Sequence, residues 1–128
     1  MKVRIEFDER RILVAVQSGN NAALRRAGAY VRKAARNKVT TSDKASPPGT
    51  PPNTRRGLLK RALLFGVDKR RSSVVIGPAE SIIGTAMTAH EFGGKYRKRR
   101  YPKRPLMGPT LERTAGKLPA MWEKSVKP

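Results

Sequence analysis

The chain has 128 residues, no cysteine and a formal net charge of +20 at pH 7, from 29 basic and 9 acidic residues. This length favours one domain, residues 1–128, whose core is modest and mainly aliphatic. The lack of cysteine excludes disulfides and thiolate metal sites. The charge predicts a polyanionic partner, most often nucleic acid.

The N-terminal region is predicted to form a strand followed by a helix. Residues 3–7 alternate apolar and polar side chains, as a strand does, and Asp8 is placed to cap a helix that begins at Glu9. Residues 12–16 suit a strand or a helix, and we favour the helix. Residues 18–21, Ser-Gly-Asn-Asn, are predicted to break or kink it. No segment resembles a signal peptide or a membrane span, so we expect a soluble protein made in the cytoplasm.

From residue 21 onwards, the apolar residues recur at spacings of three and four, which predicts an amphipathic helix. The apolar stripe consists of Leu24, Ala27, Val31 and either Ala34 or Ala35. Its small residues would allow close packing against a sheet. The polar side carries Arg25, Arg32 and Arg36, which we interpret as a solvated face in preference to a dedicated nucleic-acid surface.

Residues 40–54 are predicted to form an extended, exposed loop, because they include no large apolar side chain. Loops of this length in a compact domain are usually functional or become ordered on assembly. We therefore consider the loop a candidate subunit contact through its prolines, Pro47, Pro48, Pro51 and Pro52.

A β-hairpin is predicted next, with buried strands at 62–65 and 73–76 joined by the charged turn 68–72 and ended by Gly77 and Pro78. Thr85 could then cap a short helix that runs to Phe92 and stops at Gly93 or Gly94.

Residues 94–105 are predicted to form a basic loop between two ordered elements. Seven positive charges fall within ten residues: Lys95, Arg97, Lys98, Arg99, Arg100, Lys103 and Arg104. Tyr96 and Tyr101 are expected to pack against the stems of these side chains more readily than to stack on bases. Pro109 marks the start of a last helix, and Pro119 divides that helix. Its apolar side would consist of Leu111, Ala115, Leu118 and Trp122.

The order of these elements predicts an α+β fold: a small antiparallel sheet packed against an N-terminal amphipathic helix and a C-terminal helix, with a long Pro-rich loop. No catalytic or metal-binding constellation is recognisable. His90 is the one histidine, and the adjacent Glu91 would point about 100° away from it on a helix. We assign His90 a structural role and predict neither an enzyme nor a cofactor.

Four short motifs occur in one order: Arg-Arg-Gly-Leu-Leu-Lys at 55–60, Val-Ile-Gly-Pro at 75–78, Glu-Phe-Gly-Gly at 91–94 and Arg-Pro-Leu-Met-Gly-Pro-Thr-Leu-Glu at 104–112. This order resembles the neck and tail-completion (head–tail joining) proteins of tailed double-stranded DNA phages and prophages. The matching residues are Arg56, Gly57, Leu58, Lys60, Val75, Gly77, Pro78, Glu91, Phe92, Gly93, Gly94, Arg104, Pro105, Met107, Pro109, Leu111 and Glu112. Leu106 and Thr110 depart from the Phe and Ala that are usual in this family.

The resemblance implies a structural virion protein without enzymatic activity. It would form a sixfold or twelvefold homo-oligomeric ring at the head–tail junction, between the connector or head-closure proteins and the tail-terminator or tail-tube proteins. The basic loop would then be repeated symmetrically, facing the packaged DNA or an acidic neighbour. We also expect Glu91 and Arg104 to tie the turn at residues 91–94 to the last helix.

Two other functions remain open from the sequence. One alternative is a basic nucleic-acid-binding protein, of a ribosomal-protein-like or DNA-binding kind, although the chain lacks an aromatic binding strand and a GxxG clamp. A third possibility is a basic module that is steered electrostatically towards an acidic protein.

Overall fold

The computed structural model describes residues 9–84 and 86–123. Its fold is α+β, as predicted, with a long N-terminal helix, two small antiparallel sheets and a C-terminal helix. The elements are α1 (Glu9–Lys38), α2 (Leu58–Ala62), β1 (Leu63–Asp68), β2 (Ser73–Pro78), α3 (Glu80–Ile83), α4 (Ala86–Phe92), β3 (Gly94–Tyr96), β4 (Arg99–Tyr101) and α5 (Met107–Thr114). Two short 3₁₀ helices, Ala115–Lys117 and Pro119–Trp122, follow α5. The strand expected at 3–7 and the caps expected from Asp8 and Thr85 lie outside the described residues.

Helix α1 is continuous through residues 18–21, so the predicted break is wrong. The C-terminal segment explains the difference, because it packs against this part of the helix. The indole Nε1 of Trp122 donates a hydrogen bond to Asn20 Oδ1 at 3.0 Å. Farther along α1, Arg26 donates to the backbone oxygen of Met121 at 2.9 Å. These tertiary contacts stabilise a helical stretch of low intrinsic propensity.

The apolar stripe of α1 is buried, as predicted, and packs on the β1–β2 hairpin. Leu24, Ala27, Val31 and Ala35 are each at most 5% exposed. The helix also approaches the sheet at Gly28, where an added Cβ would lie 2.5 Å from Phe65 Cδ2 and 2.8 Å from Val74 Cγ2. The polar side of α1 is not wholly solvated, because Arg32 Nε donates to the backbone oxygen of Leu63 at 2.6 Å.

The β1–β2 hairpin forms where strands were predicted, with a register that pairs Leu63 with Pro78 and Asp68 with Ser73. The prediction that both strands are buried is wrong: Leu64 and Val75 are 43% and 67% exposed, because only one face of the hairpin packs on α1. Two short helices flank it that the sequence analysis did not predict. Helix α2 begins after Gly57, whose φ of +74° suits glycine and reverses the chain ahead of the helix. Helix α3 begins at Glu80, separated by one residue from the end of β2 at Pro78.

The principal core cluster lies where α1, α2, β1 and the start of α5 meet. Its buried members are Ala35, Val39, Leu59, Leu63 and Leu106, with Ile83, Met87 and Met107 packed around them. Leu106 is fully buried and fills a core position.

Helix α5 buries a different face from the predicted one. Thr110 and Thr114 are 0% and 3% exposed, whereas Leu111 is 51% exposed and Ala115 is also exposed. The threonines can be buried because each hydroxyl donates to a backbone oxygen one turn earlier: Thr110 Oγ1 to Leu106 at 2.6 Å and Thr114 Oγ1 to Thr110 at 2.9 Å. Pro119 divides the C-terminal segment, as expected.

The Pro-rich loop is mostly exposed, but it is closed and folded back, not extended. Thr41 and Thr54 form a parallel bridge at its base. Near its tip, the backbone N–H of Gly49 donates to the oxygen of Lys103 at 2.7 Å. Pro47 and Pro48 are exposed, whereas Pro52 is buried and Pro51 is half-buried. Among the described residues, no helix is both long enough and apolar enough to span a membrane.

Candidate functional site: a basic hairpin

The segment that we predicted to be a basic loop contains a β-hairpin. Strands β3 and β4 pair in antiparallel register, with Gly94 opposite Tyr101, Lys95 opposite Arg100 and Tyr96 opposite Arg99. The sequence does not indicate this hairpin, because two-residue hairpin turns favour Asn-Gly or Asp-Gly, whereas this turn is Arg97-Lys98.

The turn of this basic hairpin, residues 94–101, holds its two basic residues in an unfavourable backbone conformation. Arg97 and Lys98 have φ of +49° and +68°. For a residue with a Cβ, the left-handed backbone conformation costs about 1–2 kcal/mol. The Arg97 guanidinium lies 5.3 Å from the ring centroid of Tyr96, a cation–π contact that offsets part of the cost.

The two faces of the hairpin differ in composition. Cross-strand partners share a face of a sheet, so Lys95 and Arg100 lie on one face, where like charges directly opposite each other are destabilising. The other face carries Tyr96 and Tyr101, whose ring centroids are 6.3 Å apart. Tyr101 also makes an edge-on contact with His90, at 5.4 Å between centroids. The two tyrosines therefore pack against each other, against His90 and against Arg97.

Six of the seven cations are exposed, and only Arg104 is half-buried. The exposed residues are Lys95, Arg97, Lys98, Arg99, Arg100 and Lys103. Arg104 donates from Nε to the backbone oxygen of Ser46 at 2.7 Å, and its backbone N–H donates to the oxygen of His90 at 2.6 Å. Through these two hydrogen bonds, Arg104 joins the Pro-rich loop, α4 and the segment that leads into α5, so it has a structural role.

Glu91 fixes the start of α5 at the base of the hairpin. Its carboxylate accepts backbone N–H groups from Leu106 at 2.7 Å, Met107 at 3.1 Å and Gly108 at 2.7 Å. The first N–H groups of a helix lack partners within it, and a carboxylate there also interacts favourably with the helix dipole. The tie from the turn to the last helix is present, but Arg104 is not the partner of Glu91 in it.

His90 lies beneath the hairpin, and burial of its imidazole lowers its pKa below 6.5, with the positive charge of Arg104 adding to the effect. Its Nδ1 is buried without a hydrogen-bond partner. Among the described residues, no group of three or more acidic or histidine side chains is arranged to hold a metal ion.

The motif residues occupy turns and element ends. Gly57 precedes α2, Gly77 and Pro78 end β2, and Gly93 ends α4 with φ of +74°. Other motif side chains reach the surface: Phe92 is 75% exposed, Val75 is 67% and Leu58 is 42%. Arg56 and Gly94 are also exposed, and Lys60, Pro105 and Pro109 are half-buried. The structure joins the third and fourth motifs directly, through Glu91.

Comparison of the chain with protein-family models, with curated proteins and with solved structures gave no match.

Proposed function

We propose that this protein is a structural component of a tailed-phage virion, a neck or tail-completion protein that forms a homo-oligomeric ring at the head–tail junction. The four motifs in family order support this proposal, as does the direct contact between the last two of them. The ring would lie between the connector or head-closure proteins on one side and the tail-terminator or tail-tube proteins on the other. After synthesis in the host cytoplasm, it would reside in the virion.

The observation that carries the proposal is the fixed basic hairpin. Two strained turn residues and a like-charged pair, Lys95 with Arg100, reduce its intrinsic stability. Sequences that break local preferences usually do so at functional positions. A polyanion would relieve this repulsion by neutralising the charges. In a ring, the hairpin would be repeated around a central channel and would contact the phosphates of the DNA or an acidic ring.

The decisive experiment is a deletion of the gene in its parent phage, followed by electron microscopy of the particles. We expect filled heads without tails, restored by the wild-type gene. In complemented particles, the chain should form a closed ring at the portal–tail junction. Normal tailed particles from the deletion, or particles that lack the chain, would overturn the proposal.

A matched pair of variants tests the role of the hairpin within that assembly. Lys95→Gln with Arg100→Gln removes the opposed charges, whereas Lys69→Gln with Arg70→Gln removes the same charge from the β1–β2 turn. We expect tail joining to fail only with the first pair. Equal effects would show that net charge alone matters.

The alternative function is a basic nucleic-acid-binding protein outside a virion. The same exposed cations favour it, because each phosphate contact releases counterions. A deletion that leaves particles intact, together with wild-type binding to DNA or RNA in cells, would select this alternative.

A further inference from the structure

A polar recess of about 260 Å³ lies between residues 42–55, in and just after the Pro-rich loop, and the side chains of His90 and Arg104. Its wall carries three basic side chains, Lys44, Arg55 and Arg104, against one acid, Asp43. Lys44, Arg55 and Asp43 are exposed, so solvent screens their charges, whereas Arg104 is half-buried.

The size of the recess limits what it can hold. A water molecule takes up about 30 Å³ of the liquid, and pockets for drug-sized ligands span about 300–1,000 Å³. The recess therefore suits a small ion or a single acidic side chain, with a few waters.

Arg104 is preorganised for an anion. Its Nε is bound to the Ser46 backbone oxygen, which fixes the guanidinium plane. Its terminal nitrogens make no hydrogen bond to a described residue, and among the described residues no carboxylate forms an ion pair with it. A fixed guanidinium with two terminal nitrogens still available matches the two oxygens of a carboxylate or phosphate.

Two buried polar atoms on the same wall lack partners. These are Ser46 Oγ, in a residue only 6% exposed, and His90 Nδ1. A buried polar atom without a partner costs about 1–3 kcal/mol, so such atoms call for an explanation. The serine hydroxyl is closed off from solvent in its present rotamer, so it can donate to a ligand in the recess only after rotation about one bond.

We propose that this recess binds a small oxyanion, a phosphate or a carboxylate, with Arg104 as the bidentate donor and Ser46 as a second donor. Lys44 and Arg55 contribute attraction from the rim. A free ion and an acidic side chain of a partner offer the same chemistry. This site is independent of the proposed role in the virion, because it depends only on contacts within one chain.

The sole histidine makes the test direct, because a histidine-selective NMR spectrum of the full chain reports His90 without resonance assignment. The protein is titrated with inorganic phosphate, with acetate and, as the control, with chloride, all at constant ionic strength. We expect a saturable shift of the His90 signals with phosphate, acetate or both, and none with chloride. Saturation by phosphate alone identifies a phosphate site, and saturation by acetate alone identifies a carboxylate site. A shift with neither anion, or an equal shift with chloride, overturns the proposal.

Three variants separate the recess from general attraction by a basic protein. Arg104→Lys keeps the charge but loses the planar fork, and Ser46→Ala removes only the hydroxyl; each should weaken binding about tenfold. Asp43→Asn removes the one acid and should tighten binding about two- to threefold. Arg70→Gln, a remote exposed site, should leave it unchanged. Ser46→Ala removes an unpartnered atom, so it should fold normally, and unchanged affinity in both Ser46→Ala and Arg104→Lys would refute the site.

Discussion

Gly28 on helix α1 and Phe65 on strand β1 are in a contact that leaves no room for a methyl group. A Cβ at position 28 would lie 2.5 Å from Phe65 Cδ2 and 2.9 Å from Cγ. We expect Gly28→Ala to lower the free energy of unfolding by about 1–2 kcal/mol, because overpacking outweighs the gain in helix propensity. Chemical denaturation measures the change.

A glycine in the adjoining strand provides the control for this prediction. A Cβ added at Gly66 would meet nothing within 4 Å, so Gly66→Ala should change stability by less than about 0.5 kcal/mol. Phe65→Leu should restore part of the stability lost in Gly28→Ala. If Gly28→Ala were as stable as the wild type, helix and sheet would not be as close as described.

Glu91 stabilises the start of helix α5 through three backbone hydrogen bonds. Glu91→Ala leaves these N–H groups without their charged acceptor, and we expect a loss of about 2–3 kcal/mol by thermal or chemical denaturation. Glu112→Ala removes an exposed carboxylate from the same helix and should be nearly neutral. Equal stability of the two variants would mean that Glu91 does not cap the helix.

The Arg97-Lys98 turn predicts that stability and binding respond in opposite directions. Arg97→Asn with Lys98→Gly supplies residues that tolerate positive φ, so stability should rise by about 1–3 kcal/mol. Affinity for double-stranded DNA should fall, and the salt dependence of binding should decrease by about two phosphate contacts. Denaturation and fluorescence anisotropy measure the two effects. A variant that is stabilised and binds DNA as well as Lys69→Gln/Arg70→Gln would show that the turn has no special role in binding.

The partly buried imidazole of His90 predicts the direction of a pH effect on stability. Because the folded-state pKa is below 6.5, the unfolded chain binds more protons between these two values. Stability should therefore be highest above pH 6.5 and fall as the pH drops through 6.5 towards the folded pKa. His90→Phe keeps an aromatic ring against Tyr101 and should flatten this part of the profile. An unchanged slope in that variant would assign the effect to another group. Carboxylates titrate mainly near pH 4, so they contribute little to the slope close to pH 6.5.

The fold class and most of its elements could be predicted from periodicity and turn residues. Leu24, Ala27 and Val31 mark the buried face of α1, and Gly77 with Pro78 marks the end of β2. The errors have tertiary causes. Residues 18–21 remain helical because the Trp122 segment packs against this region, a contact that spans 102 positions between Asn20 and Trp122.

The candidate site was harder to predict, because its key features run against residue preferences. The charge cluster was evident, but a hairpin turned by Arg97-Lys98 has no sequence signature. Thr110 and Thr114 form the buried face of α5 only because the helix backbone accepts their hydroxyls. Glu91 was predicted to tie the turn to the last helix. Its capping of backbone N–H groups 15–17 positions later cannot be read from sequence spacing.

The contact between Asn20 and Trp122 also has a consequence for the order of events during synthesis. Domains fold as the chain emerges, N-terminal parts first, yet Asn20 and Arg26 of α1 find hydrogen-bond partners in residues 121 and 122. Helix α1 can meet the β1–β2 hairpin as soon as that hairpin is made. The hydrogen bonds of Asn20 and Arg26 must wait until almost every other described residue has been translated.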